Sequence, residues 1–235
     1  MPGDISDEWI DKACEADPLP DDVGDDDDWS IARGPPLTLE EIDAARVRLA
    51  KWQSAQTFSD DALGLCHRCS SPDYFLQSRL KFLHNAFVLA EFATKRGVDQ
   101  VRLAARDENW PDGYVKIQTR TINVEVTSTH GGRKLGEEYR RVKGAQLVVE
   151  HDPVEDWVAR AESIPKYLDE AIRDKVEKNY SSACWLVVYL NISERDIRHE
   201  QVKQVIAGTI SRYRDRFENI SVLWKKGLYS AASPS

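Results

Sequence analysis

Two carboxylates, Asp112 and Glu125, and a lysine, Lys116, occupy polar positions in the alternating segment WPDGYVKIQTRTINVEVTS. If this segment is a hairpin that turns near residues 119–120, Asp112 and Glu125 become diagonal neighbours with Cα atoms about 7–8 Å apart. Both carboxylates could then reach one cation. The alternative is the solvated face of an amphipathic hairpin, which gives the same alternation of polar and apolar residues.

The predicted register places every polar position of the hairpin on one face. The opposed pairs are Asp112 with Thr127, Tyr114 with Glu125, and Lys116 with Asn123. The turn contains neither Gly nor Asn-Gly, the residues that favour a tight hairpin turn, so the register depends on the alternation alone.

A third carboxylate, Glu91, lies in an apolar helical segment where, between residues 82 and 93, its only polar neighbours are His84 and Asn85. A buried carboxylate needs a compensating partner, because removing a charge from water is costly. A cation could neutralise Glu91. Alternatively, Glu91 lies at the solvated edge of the helix and pairs with Lys95, which is four residues further along.

Three carboxylates contributed by a helix, the start of one strand and the middle of the next would suit Mg²⁺ or Mn²⁺. Mg²⁺ prefers oxygen ligands, typically takes one or two carboxylates, and fills its other positions with water and substrate phosphate. Phosphodiester hydrolysis is the reaction expected of such a site, since a bound cation activates the attacking water and stabilises charge on the leaving oxygen.

These residues and their element order resemble the PD-(D/E)XK nuclease superfamily. The resemblance covers about residues 78–191 and rests on Glu91 in a helix, Pro111-Asp112 at the start of a strand, and Glu125-Val126-Thr127 on the next strand. It implies a restriction-endonuclease-like core of helix, three-strand meander, helix and strand. It also implies that Glu91, Asp112 and Glu125 are metal ligands. Thr127 stands where the family has its lysine.

Two other lysines could supply that missing charge. Lys116 shares the predicted face of Asp112 and Glu125, and we take it as the catalytic lysine that orients water or offsets phosphate charge. Its alternative is a surface lysine whose amine extends into solvent. Lys175 lies near the apolar stripe of a second helix and could point toward the sheet, or else mark the edge of that helix.

Two further segments carry residues with binding potential. HGGRKLGEEYRRVKG could follow a phosphate backbone or form a solvated loop; its basic residues are Arg133, Lys134, Arg140, Arg141 and Lys143. CHRC at Cys66–Cys69 has zinc-like spacing but lacks a second pair. No P-loop, GxGxxG or GxSxG sequence is present, which disfavours NTPases, dinucleotide enzymes and serine hydrolases.

The order of periodic segments predicts an α/β domain with a mixed central β-sheet flanked by helices. Residues 1–36 are predicted to be an acidic, disordered tail, residues 37–75 an N-terminal helical segment, and residues 76–235 the nuclease-like domain. Thr38 and Glu41 have the spacing of a capping box and predict the start of the first helix.

Charge is distributed unevenly along this chain of 235 residues, whose formal net charge is −8. Residues 1–34 contain 12 acidic and 2 basic residues, so the remainder has 28 acidic and 30 basic residues. A slightly basic body is compatible with binding to a phosphate backbone. No long apolar run or signal sequence is present, and the four cysteines suggest free thiols. We therefore expect a cytoplasmic protein without a membrane partner.

The sequence thus predicts a metal-dependent nuclease that acts on nucleic acid, with DNA as the expected partner. The alternative is a catalytically inactive nucleic-acid-binding or assembly module of the same fold, which the absence of a lysine at Thr127 favours. The sequence does not distinguish DNA from RNA as the substrate. It leaves open whether cleavage is sequence-specific and whether the protein is a homodimer.

Overall fold

A computed structural model describes residues 34–69, 76–135, 137, 140, 154–178, 183–192 and 198–232. The predicted acidic tail lies outside these ranges except for its last three residues. The helices are α1 (Leu39–Leu49), α2 (Ala55–Cys66), α3 (Lys81–Arg96), α4 (Val154–Glu177) and α5 (His199–Ser211), with a short 3-10 helix at Ser78–Leu80. The strands are β1 (Gln53–Ser54), β2 (Gln100–Leu103), β3 (Gly113–Ile117), β4 (Arg120–Thr129), β5 (Cys184–Leu190), β6 (Asn219–Trp224) and β7 (Gly227–Ala232).

The described strands form one mixed sheet in the order β1 to β7. Strands β1 to β4 pair antiparallel, β5 is parallel to β4, β6 is parallel to β5, and β7 closes the sheet antiparallel to β6. Parallel neighbours need a crossover connection, and helices α4 and α5 lie in the two crossovers. The predicted α/β class with helices flanking a mixed sheet is confirmed.

Two apolar cores cover the two faces of the sheet. On one face, α1, α2 and α3 pack against side chains of β2 to β6, including Val115, Val124 and Val187. On the other face, α4 and α5 pack against β5 and β6, where Leu186 and Val222 are fully buried. Adjacent strand residues point to opposite faces, so the nearly all-apolar β5 contributes to both cores.

Helix α1 begins as the sequence predicts. Thr38 accepts a hydrogen bond from the backbone of Glu41, and the Glu41 carboxylate accepts one from the backbone of Thr38. The segment TLEEIDAARVRLAKWQSAQ predicts a helix that continues to about residue 56, but the helix ends at Leu49 and the chain then forms β1 and α2. Ser54 accepts a hydrogen bond from the backbone of Thr57, and this second cap starts α2.

The end of α3 agrees with the sequence pattern, whereas the start of α4 and the last strand do not. Helix α3 ends at Arg96 and is followed by Gly97, which has a positive φ of 69°, and a glycine at this place is the C-terminal signal in the sequence. Helix α4 begins at Val154 and includes Pro165, although the sequence pattern predicts a start near Ile164. Strand β7 was not predicted. None of the described helices is long and apolar enough to cross a membrane.

Helix α3 lies directly against β3 at Gly113. A Cβ atom at this position would lie 2.4 Å from Leu89 Cδ1 and 2.8 Å from the backbone oxygen of Arg102. These distances are shorter than van der Waals contact, so only glycine fits. The residue before Gly113 is Asp112, and the same close approach therefore brings α3 next to the first predicted site residue.

Candidate active site

Asp112 lies at the entrance to β3, after a cis peptide bond between Trp110 and Pro111. Both of its carboxylate oxygens accept hydrogen bonds. Asn85 of α3 donates from Nδ2 to Oδ1 at 2.9 Å, and the backbone N–H of Val126 in β4 donates to Oδ2 at 2.8 Å. These two bonds fix the carboxyl group between the helix and the strand that carries Glu125.

Glu125 lies in the middle of β4 and is 4% exposed. Its Oε1 accepts a hydrogen bond from Lys175 Nζ of α4 at 2.6 Å. The Lys175 side chain is itself only 13% exposed. Because water cannot screen such a pair well, the two charges interact more strongly than they would at the surface.

The electrostatics of the cluster favour an additional positive charge. Burial, followed by the nearby charge of Glu125, raises the pKa of Asp112, whereas the Val126 N–H, Lys175 and Lys178 act in the opposite direction. Among the described residues, the cluster therefore contains two carboxylates but one largely buried cation, Lys175. A proton on Asp112 or a bound cation would relieve the remaining repulsion.

The strand register differs from the predicted one by two residues. Tyr114 lies opposite Asn123, and Lys116 lies opposite Thr121. The reason is the position of the turn, since Ile117 pairs with Arg120 and Gln118 takes a positive φ of 54°. A shift of two preserves the alternation, so these polar residues still share the face of Glu125.

Glu91 does not join this cluster. Its carboxylate pairs with Lys95 Nζ at 3.0 Å across one helical turn, and its side chain is 31% exposed. Within the described part of the chain, no three His, Cys, Asp or Glu side chains form a group able to hold a metal ion. Of the two interpretations of Glu91 from sequence, the structure shows the surface ion pair.

Lys116 also lies away from the two carboxylates. Its amine donates to Gln100 Oε1 at 3.1 Å and lies 4.2 Å from the ring centroid of Trp52. Lys175, the alternative from the second helix, contacts Glu125 instead. Among the described residues, the lysine that contacts Glu125 therefore comes from α4, and not from the hairpin.

Asn85 is the site residue that sequence reasoning did not assign. Asn85 is a polar residue in an apolar helix, and that is the signal that could have identified it, because an amide withdrawn from water needs a hydrogen-bond partner. In the structure, α3 contributes Asn85 to the site in place of Glu91.

The two other candidate segments contribute nothing to this cluster among the described residues. In the basic segment, Lys134 pairs with Glu137 at 3.5 Å, and Arg141 and Lys143 lie outside the described ranges. Cys66 and Cys69 are buried thiols outside any disulfide, as the sequence predicts, and both side chains belong to the core on which α3 packs.

Comparison of the chain with protein-family models, with curated proteins and with solved structures found no match.

Proposed function

We propose that this chain is a divalent-cation-dependent nuclease of the PD-(D/E)XK type that hydrolyses phosphodiester bonds in DNA. One observation carries the proposal: Asp112 and Glu125, from neighbouring strands, meet in a buried site where Lys175 contacts Glu125 at 2.6 Å. The succession α3, meander β2–β4, α4 and β5, with β5 parallel to β4, supports it as well.

The residues of the site fit Mg²⁺ or Mn²⁺. Mg²⁺ takes one or two carboxylates and completes its shell with water and phosphate, and the site offers Asp112 and Glu125. Each carboxylate oxygen has two acceptor positions, so the bonds from Asn85, Val126 and Lys175 leave room for a cation. When bound, the cation would activate water and stabilise charge on the leaving oxygen.

The protein residues have separate roles in this proposal. Asp112 and Glu125 hold the cation. Asn85 and the backbone N–H of Val126 hold the Asp112 carboxyl group in place. Lys175 donates hydrogen bonds from its ammonium group and offsets charge that develops on the scissile phosphate. Lys175 thus provides the positive charge that a lysine would provide at the position of Thr127.

A second candidate function is a nucleic-acid-binding module without catalysis. The pairing of Glu91 with Lys95 favours it, since that pairing leaves two carboxylates at the site instead of three. A binding module would bind DNA without a divalent cation and would not cleave it.

The deciding experiment is a cleavage panel with duplex, nicked, flapped and single-stranded DNA in Mg²⁺, Mn²⁺ or EDTA. The nuclease proposal predicts that cleavage requires a divalent cation. It also predicts that Asp112→Asn and Glu125→Gln each abolish cleavage. Asp107→Asn is the matched control, because Asp107 is an exposed aspartate. Binding without cutting in all of these conditions would support the module instead, and cutting that survives in both site variants would contradict the proposed site.

A further inference from the structure

A row of polar and aromatic residues leads away from Glu125 across the face of β3 and β4. Asn123 is two residues before Glu125 on β4 and pairs with Tyr114, and Thr121 pairs with Lys116. Alternate residues of a strand share one face, so these side chains lie on the same side as Glu125. From Thr121 to Glu125 the row extends about 14 Å, at about 3.4 Å per residue.

This row has no helix above it among the described residues. Helix α4 packs over β4 and β5, and α5 packs over β6 and β7. Beyond β4 the same face carries Trp52, Arg102, Tyr114 and Lys116, all of which are partly exposed. These partly exposed side chains form a strip of sheet beside the site, and the strip ends in two aromatic rings.

The aromatic rings and cations of the strip form a compact cluster. The rings of Trp52 and Tyr114 meet edge to face with 6.4 Å between their centroids. Arg102 lies 3.9 Å from the Tyr114 centroid, and Lys116 Nζ lies 4.2 Å from the Trp52 centroid. Partly exposed Trp and Tyr side chains provide surfaces on which nucleic-acid bases stack, and stacking requires bases that are not already paired in a duplex.

The two cations of the strip differ in their partners. Arg102 forms an ion pair with Glu108 at 3.0 Å, and that carboxylate also accepts from the Tyr114 hydroxyl. Arg102 holds the pKa of Glu108 at about 2, so the glutamate stays charged. Lys116 donates to the neutral amide of Gln100 and has no carboxylate partner among the described residues. Lys116 is therefore the uncompensated positive charge of the strip.

We infer that this strip binds the single-stranded part of a DNA substrate, with Lys116 against a phosphate and Trp52 against a base. The inference rests on the proposed function for the choice of DNA and for the direction of the strand, which leads from the strip to Asp112 and Glu125. A strand that follows the row crosses Tyr114 and Asn123 before it reaches the carboxylates.

The test measures binding separately from cleavage. Fluorescently labelled single-stranded and duplex oligonucleotides of matched sequence are titrated with protein in EDTA, at several salt concentrations, and followed by anisotropy. Lys116→Gln should weaken single-strand binding and make the slope of log K against log salt shallower by about 0.7, the value for one lost phosphate contact on a single strand. Lys51→Gln is the control, because Lys51 is an exposed lysine next to Trp52 in sequence.

Variants of Trp52 test the contact between its ring and a base. Trp52→Ala should weaken single-strand binding about tenfold and duplex binding less, since loss of one stacked base contact corresponds to about 1–3 kcal/mol. Trp52→Phe should retain most of the affinity. Circular dichroism melting confirms that each variant is folded, and the surface substitution Lys116→Gln keeps the test decisive if Trp52→Ala does not fold.

The outcomes separate this inference from the nuclease proposal. If folded Lys116→Gln and Trp52→Ala bind single strands with wild-type affinity, the strip is not the binding surface, even if the wild-type protein cleaves DNA. An equal loss of duplex and single-strand affinity overturns the inference too. Selective loss of single-strand binding supports the strip, even if no cleavage is detected in Mg²⁺ or Mn²⁺.

Discussion

Lys175 and Glu125, separated by 50 residues in the sequence, form a buried ion pair with 2.6 Å between Nζ and Oε1. The lysine comes from a helix and the glutamate from the sheet that the helix covers. Asp112, next to Glu125, has no lysine of its own within hydrogen-bond distance among the described residues. Removal of Lys175 would therefore leave the buried Glu125 and the half-buried Asp112 without this cation.

Replacement of Lys175 should cost both stability and turnover. We expect Lys175→Met to lower the free energy of unfolding by about 3 kcal/mol without divalent cations, because it leaves a buried charge unpaired. Chemical denaturation measures the loss, and cleavage should fall with it. The double variant Lys175→Met with Glu125→Gln should be more stable than Lys175→Met alone. Lys166→Met, an exposed position on the same helix, should behave as wild type. Equal stability of the Lys175 and Lys166 variants would contradict the importance of the pair.

Replacement of Glu91 should have little effect on the site. Its partner Lys95 is partly exposed, and such a helix-surface pair contributes about 0.3–0.5 kcal/mol. We expect Glu91→Gln to retain the Mg²⁺-induced rise in melting temperature, whereas Glu125→Gln should lose it. Differential scanning fluorimetry with Mg²⁺ and with EDTA gives the comparison. Loss of the Mg²⁺ effect in Glu91→Gln would restore Glu91 as a metal ligand.

The effect of Mg²⁺ on stability should depend on pH. The raised pKa of Asp112 means that the folded protein keeps this proton to higher pH than the unfolded chain does, so the contribution of Asp112 to stability declines as pH rises above its ordinary value of 3.8. A cation must displace the same proton. Melting temperatures with and without Mg²⁺, measured upward from about pH 4, should diverge as pH increases, because this range begins near the ordinary pKa of Asp112 and continues through its raised one. Asp112→Asn should abolish this divergence, and a Mg²⁺ effect that is constant with pH would exclude Asp112 as the linked group.

A methyl group at Gly113 should disturb the site through the helix. The substitution Gly113→Ala places a Cβ 2.4 Å from Leu89 Cδ1 and 2.8 Å from a backbone oxygen, so α3 and β3 must move apart. We expect a loss of about 1–3 kcal/mol in the free energy of unfolding. Cleavage should also decrease, since Asn85 moves with α3. Gly208→Ala is the matched control, because nothing lies within 4 Å of a Cβ in that helix and alanine there should stabilise. Similar behaviour of the two variants would mean that β3 tolerates the displacement.

Local sequence patterns predicted the elements of the site better than its contacts. Alternation predicted that Glu125 lies on the polar face of a strand, and the motif placed Asp112 at the start of the preceding strand. The register was wrong by two residues because it depends on the turn, where Gln118 takes a left-handed conformation that its residue type does not favour. A shift of two residues keeps each side chain on its face of the sheet, so the prediction that Tyr114, Lys116 and Asn123 share the face of Glu125 was correct.

The lysine could not be decided from sequence, since both candidates satisfied their local pattern. Lys116 lies on the polar face of the hairpin as predicted, but the pattern does not reveal that Trp52 and Gln100 surround its amine. The position of Lys175 depends on how α4 crosses the sheet, which is a tertiary property. The place of Glu91 could not be decided from sequence for a related reason, because helical spacing allowed both a core-facing carboxylate and the surface pair with Lys95 that the structure shows.

The placement of Lys175 on α4 makes the charge balance of the site depend on how that helix packs, which a lysine at position 127 would not do. Asp112 and Glu125 are joined through β3 and β4, whereas Lys175 belongs to a helix that is held on the sheet by the buried side chains of Ile164, Leu168 and Ile172. A displacement of α4 by one helical turn, about 5.4 Å, would separate Lys175 from Glu125 and leave the strand pairing intact. The apolar contacts of α4 therefore set the electrostatics of a polar site that lies outside their own core.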